Sequence, residues 1–281
     1  MLSKTPIAIA WMPGVLACAC VLVFLAGSAA AQTDTGDDEE SALAKATQNP
    51  VGDLISLPFQ NNTLFDIGDH DRSANTLNIQ PVIPVKAGRW NLINRTIVPV
   101  QYQPDMQAET GGTSGLGDIN HTLFVSPAVP GAVIWGVGPS VTLPTSTDTV
   151  LGSGKLSLGP SFVALTMRGP WVVGGLVNNI WSVAGDSDRS DVNFFLFQYF
   201  VNYNLNDGWY LTSAPIITSN WEADRGERWR VPFGGGGGKI FRIGSQPMNF
   251  QSQAFYYAVT PDTNPAPAWE LRVQLQFLFP Q

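Results

Sequence analysis

The chain has 281 residues, of which 44% are hydrophobic and only 13% charged, with a formal net charge of −7. So much apolar material excludes a chain disordered throughout, and the absence of any block of Lys or Arg argues against nucleic acid as a partner. Glycine (28) and proline (21) are plentiful, while long stretches of Ala, Glu, Lys and Leu are missing, which points to an all-β class.

The first element reads as an export signal. Lys4 precedes an apolar run from Ile7 to Ala26, and Ala29 and Ala31 supply the small residues of a cleavage site. Residues 1–31 are expected to be removed, with cleavage between Ala31 and Gln32. A retained anchor fits less well, because Pro13 interrupts the run. Val15–Cys18 resembles a lipoprotein site only faintly, since the apolar stretch continues through Leu25. Both cysteines, Cys18 and Cys20, lie inside this signal, so the mature chain has no thiol for a disulfide or a metal. Beyond the signal no apolar run reaches the roughly 18 residues of a spanning helix. If the mature chain enters a membrane, it must do so as a closed barrel.

Residues 32–40 are acidic and expected to lack fixed structure, and Ser41–Gln48 suits a short helix stopped by Asn49-Pro50. Residues 32–52 are therefore read as a periplasmic N-terminal segment and candidate plug, and residues 53–281 as the barrel. From Asp53 onward, segments rich in Val, Ile, Thr, Tyr, Phe and Trp begin near Leu54, Leu77, Trp90, Gly117, Ala132, Lys155, Trp171, Val192, Trp209, Trp229, Met248 and Trp269, which makes twelve. Their connections alternate. Short ones fall at 86–89, 127–131, 168–170, 206–208 and 243–247, and long ones at 68–74, 103–116, 145–154, 185–191, 222–228 and 261–268. Short turns on one side and long loops on the other, with an even strand number, describe a transmembrane antiparallel up-and-down β-barrel of the bacterial outer membrane. The long loops are acidic, and the short turns carry Lys86, Arg89, Arg168 and Arg242.

Tryptophans support this reading. Trp90, Trp171 and Trp209 directly follow short turns, and Trp181, Trp221 and Trp229 flank long loops, as two interfacial girdles would require. The last segment alternates cleanly: Trp269, Leu271, Val273, Leu275, Phe277 and Phe279 share one face, and Glu270, Arg272, Gln274 and Gln276 the other. Extending that pattern, Gln80, Arg95, Gln198, Gln251, Gln253, Glu270, Arg272, Gln274 and Gln276 are the expected lumen-lining side chains. Prolines at 81, 84, 99, 139, 144, 160, 215 and 232 fall within presumed strands and call for bulges or breaks.

Several stretches resemble a family of transporter-like bacterial outer-membrane proteins, related to barrels grouped with phenol-degradation pathways and sometimes mislabelled neuromedin U. They include Gln48-Asn49-Pro50-Val51, Leu54–Gln60, Leu77–Pro84, Gly115–Ile119, Trp171–Asn179, Asn202–Leu205, Asp207–Leu211 and Gln274–Pro280. The resemblance spans nearly the whole mature chain. It implies a barrel and uptake of aromatic or other small hydrophobic compounds, but brings no set of functional residues. One departure is the C-terminus, Phe279-Pro280-Gln281, where assembly signals of such barrels usually end in an aromatic residue.

Catalytic chemistry has little to work with. His70 and His121 are the two histidines, no Gly-x-Ser-x-Gly elbow exists, and Asp69-His70-Asp71 is the one acid–histidine cluster. Gly234–Gly238 with Lys239 lacks the Ser or Thr of a phosphate loop; its missing side chains leave space that could admit the N-terminal helix. No cofactor, metal site or catalytic residue is expected. The expected partners are outer-membrane lipid, lipopolysaccharide and a small-molecule solute. A channel or transporter is the favoured function, with a barrel-borne Asp/His surface hydrolase or an adhesin as the alternative.

Overall fold

The computed structural model describes residues 35–261 and 266–280. The signal segment and its Ala31/Gln32 cleavage site lie outside the described residues. Helix α1 (Thr35–Thr47) precedes β1 (Ile55–Ile67), β2 (Arg72–Ile79), β3 (Val82–Ala87), β4 (Trp90–Pro104), β5 (Gly112–Leu116), β6 (Ile119–Pro127), β7 (Ile134–Leu143) and β8 (Lys155–Arg168). There follow β9 (Trp171–Gly185), β10 (Asn193–Asn204), β11 (Trp209–Ser213), β12 (Ile216–Asn220), β13 (Trp229–Ile243), β14 (Gln246–Val259) and β15 (Trp269–Phe279).

Every pairing is antiparallel, and the ring closes where β1 pairs with β15 along Ile55↔Phe279 to Phe65↔Trp269. Three wall strands are each built from two pieces. β2 and β3 flank Gln80-Pro81, β5 and β6 flank Gly117-Asp118, and β11 and β12 flank Ala214-Pro215. The fifteen pieces therefore form a closed barrel of twelve strands. Two of the breaks coincide with a proline, whose missing N–H cannot serve the ladder. Pro232 sits at a register shift between β13 and β14, and Pro139 and Pro160 face each other across β7 and β8.

The turns at one end are tight. Gly88, Gly169, Gly208 and Gly244 take positive φ there, which glycine adopts without a Cβ penalty. At the other end, parts of two expected long loops are strand. β2 begins at Arg72, and β4 and β5 pair as a hairpin that leaves residues 105–111 as the loop. The helix also starts earlier than expected, at Thr35, where an acidic sequence suits the positive end of the helix dipole.

The sequence alternation becomes an inside and an outside. Along β15 Glu270, Arg272, Gln274 and Gln276 are buried, while Trp269, Leu271 and Phe279 are exposed. Exposed apolar side chains recur around the wall, including Val85, Val137, Phe162, Val173, Leu211, Phe233 and Phe250. An apolar belt on a barrel with a polar interior is the arrangement that lipid demands. Tryptophans border the belt. Trp171 and Trp209 are half exposed at the tight-turn end, where the Lys239 ammonium lies 4.9 Å from the Trp209 ring. At the other end Trp221 and Trp229 stack edge-on at 5.5 Å, each packed on Phe195.

Leu275 faces outward in the middle of β15, paired with Phe59 and Phe250. Leu275→Arg is expected to lower stability by about 2–4 kcal/mol, and Gln274→Arg by less, in chemical unfolding from lipid bilayers.

Candidate functional site

The chain enters the barrel from its tight-turn end. Ala44 of α1 is buried with Leu54, Ile240 and Leu278. Gln48 and Asn204 exchange side-chain amide hydrogen bonds, at 2.9 and 3.1 Å. After Pro50 the segment pushes Val51 into an apolar cluster of Ile93, Phe124, Val163, Leu165, Val172, Leu176 and Phe200, where it is 2% exposed. Asp53 then pairs with Lys86 at 2.6 Å. The glycine run does not receive the helix. A Cβ at Gly238 would collide with the Tyr210 hydroxyl, and one at Gly236 with the Ser252 carbonyl. Tyr210 fills that space instead and donates to Asn249 at 2.7 Å. The helix packs beside the run, at Ile240.

A series of cavities runs from this segment to the long loops. The innermost, 200 Å³, lies between residues 46–54 and the polar wall. A middle cavity of 270 Å³ shares Gln60, Gln80, Arg95, Leu176 and Gln198 with it. An outer one of 300 Å³ shares Ile180 and Phe194 with the middle cavity, and a fourth, 380 Å³, shares Phe194 and Asn220 with the third. The middle cavity has a mixed lining: Ile97, Phe124, Leu176, Ile180, Leu196 and Ile216 supply apolar surface, and Gln80, Arg95, Asn120, Asn178 and Gln198 polar groups, the two kinds interleaved on the same strands.

Of the expected lumen residues, Gln80, Arg95, Gln198, Gln251, Gln253, Arg272, Gln274 and Gln276 line the inner cavity. Glu270 is buried next to Arg272, accepting from its guanidinium at 2.9 Å and from the Tyr257 hydroxyl at 2.8 Å. Sequence reasoning missed what part of this set does. β11 pairs with β13 as far as Thr212↔Gly236, and the ladder resumes only at Thr218↔Arg230. Between them Ala214 turns its backbone to the lumen. Its N–H donates to Gln253 at 3.0 Å, and its carbonyl accepts from Arg272 at 2.7 Å and Gln198 at 3.3 Å. The Ser213 hydroxyl, donating to the Gly234 carbonyl at 2.6 Å, bridges the interruption. Three lumen side chains thus take the place of a missing strand partner, as buried backbone groups require. Only Pro215, flanked by β-rich sequence, signalled the break.

At the loop end, Asp118 accepts from the backbone N–H groups of Ser146 and Ser153, at 3.2 and 2.7 Å. Arg189 reaches across to donate to the carbonyls of Thr149, Gly152 and Ser153. Lys155 pairs with Asp191 at 3.3 Å, and its hydrogen bond holds that carboxyl below its ordinary range. The histidines stay apart. His70 is exposed in the turn after β1, and His121 lies on β6 with a ring nitrogen 3.0 Å from the Thr96 hydroxyl. Among the described residues no group of three or more His, Cys, Asp or Glu side chains is placed to hold a metal.

Among solved structures, an outer membrane channel from Pseudomonas putida F1 superposes with a TM-score of 0.63 at 18% identity, covering 82% of this chain and 97% of that one. Outer membrane phospholipase A from Escherichia coli gives 0.45 at 12% identity, covering 80% and 90%. The Pseudomonas putida toluene transporter TodX gives 0.38 at 9% identity, covering 84% and 92%. No protein-family model matches the sequence, and no curated protein does. The first superposition shows the fold alone: a closed antiparallel β-barrel.

Gln253→Leu leaves the Ala214 N–H without its acceptor. The substitution is expected to cost about 1–3 kcal/mol, with faster hydrogen exchange confined to Ala214 and its neighbours.

Proposed function

We propose that the protein is an outer-membrane channel for small molecules with an amphipathic or hydrophobic character. The observation that carries this reading is the run of cavities sharing their linings from the long loops to the segment around Val51. The fold is also that of a protein described as an outer membrane channel. A lining in which apolar side chains and amides are interleaved can desolvate a ring or short chain while satisfying one polar group. Passage rather than catalysis fits the histidines, which stand in an outer turn and on the lateral face of a strand. The acidic outer loops face lipopolysaccharide in this orientation.

Residues 32–52 act in this reading as a plug on the periplasmic side. Val51 closes the lumen by apolar contact, and the Gln48–Asn204 amide pair holds the segment in register. A solute moving inward has to displace it. Deleting residues 32–50 is expected to raise single-channel conductance in planar bilayers several-fold, and Asn204→Leu, which keeps the whole chain, to raise the frequency of open events. Unchanged conductance in both variants would show that the segment does not limit passage. In liposome swelling, the wild-type protein should admit benzyl alcohol faster than a sugar of similar size.

A further inference from the structure

Two arginines line the inner and middle cavities, and the structure treats them differently. Arg272 is saturated: it donates to Asn62, Ala214 and Glu270, and its guanidinium lies 4.7 Å from the Phe255 ring. Among the described residues, the Arg95 guanidinium makes one hydrogen bond, to the Gln80 side-chain oxygen at 3.0 Å. Among the described residues, no carboxylate lies within ion-pair distance of it. It lines both the inner and the middle cavity, inside the wall of the barrel. On the middle cavity's wall, the Ser161 hydroxyl is also buried without a partner.

A partly buried cation left without an anion is costly unless something supplies the charge. Five N–H donors in a planar fork suit a carboxylate above other anions, because both oxygens can be engaged at once. Across the same cavity stand Leu176, Leu196 and Ile216, with Phe124 on the strand next to Arg95. A ligand that satisfies both sides has a carboxylate head and an apolar body.

We propose that Arg95 is the anion-recognising residue of a central binding site for small amphipathic carboxylates, aromatic or short-chain aliphatic acids ionised at neutral pH. This rests on the channel reading and narrows its solute class. The guanidinium takes the carboxylate, the Ser161 hydroxyl is available as an added donor, and the apolar wall takes the body. Gln80 orients the guanidinium from the opposite side and leaves its remaining N–H groups for the ligand.

The test uses the full mature protein in uncharged detergent, with benzoate and its neutral counterpart benzyl alcohol as probes, followed by calorimetry against matched micelle blanks. Benzoate is expected to bind about tenfold or more tightly than benzyl alcohol. Arg95→Gln, checked for folding by its heat-modifiable migration, should erase that preference and leave benzyl alcohol unaffected, while Arg95→Lys should keep part of it. Equal binding of the two probes by the wild type, or a preference that survives in Arg95→Gln, would overturn the site. The wild-type comparison decides the matter even if the glutamine variant does not fold. Proteoliposome uptake of the same probes, taken as the excess over protein-free vesicles, separates the two readings: excess entry of both without preference keeps the channel and removes the anion site, and no excess for either removes the channel and the site with it.

Discussion

In hydrocarbon, a backbone N–H or C=O without a partner has no water to turn to, and this constraint organises the whole molecule. Closure of β1 on β15 removes the two sheet edges that would otherwise violate it. Where the ladder fails, between Thr212 and Thr218, the same rule brings Gln253, Arg272 and Gln198 to the Ala214 peptide groups. The wall is locally mended from within. This explains why long amide side chains, rather than serines or alanines, face that part of the lumen.

The polar interior therefore serves two purposes that composition alone does not separate. Arg272, Glu270 and Tyr257 form a closed set in which removing one member strands another, at a cost of about 3–5 kcal/mol when a buried charge is left unpaired. Tyr210, Asn249 and Gln276 are similarly joined, the Asn249 amide donating to Gln276 at 3.2 Å. These groups hold strands together and have little hydrogen-bonding capacity to spare. Arg95 and Asn178 on the middle cavity are where capacity remains, while Gln198 there is shared, lining the cavity and donating to the Ala214 carbonyl.

Much of this was legible in the sequence. A period of two along Trp269–Phe279 fixes inside and outside in the last strand, and Trp171 and Trp209 mark strand starts because an indole favours the interface. Alternating connection lengths follow from the two sides of a membrane. The break at Ala214-Pro215 was not legible as such, since a proline in a strand pattern announces a defect but not which distant side chains repair it. The glycine run misled for a related reason: the space left by absent side chains on β13 is filled by Tyr210 on the neighbouring strand, a cross-strand fact invisible along one segment. Nor does a lone valine after Asn49-Pro50 announce that it ends in an apolar cluster built from five strands.

That valine also sets the scale of the seal. Burying its side chain contributes about 1.5–3 kcal/mol, and each amide hydrogen bond between Gln48 and Asn204 about 0.5–1.5. Against this stands the entropy of ordering the segment, about 1–2 kcal/mol for each residue held, so the contacts of one valine and one amide pair do not by themselves fix it in the lumen. A solute that offers the apolar cluster the same contact as Val51 competes on equal terms, and the barrel wall, whose ladder is untouched by the exchange, keeps its shape throughout.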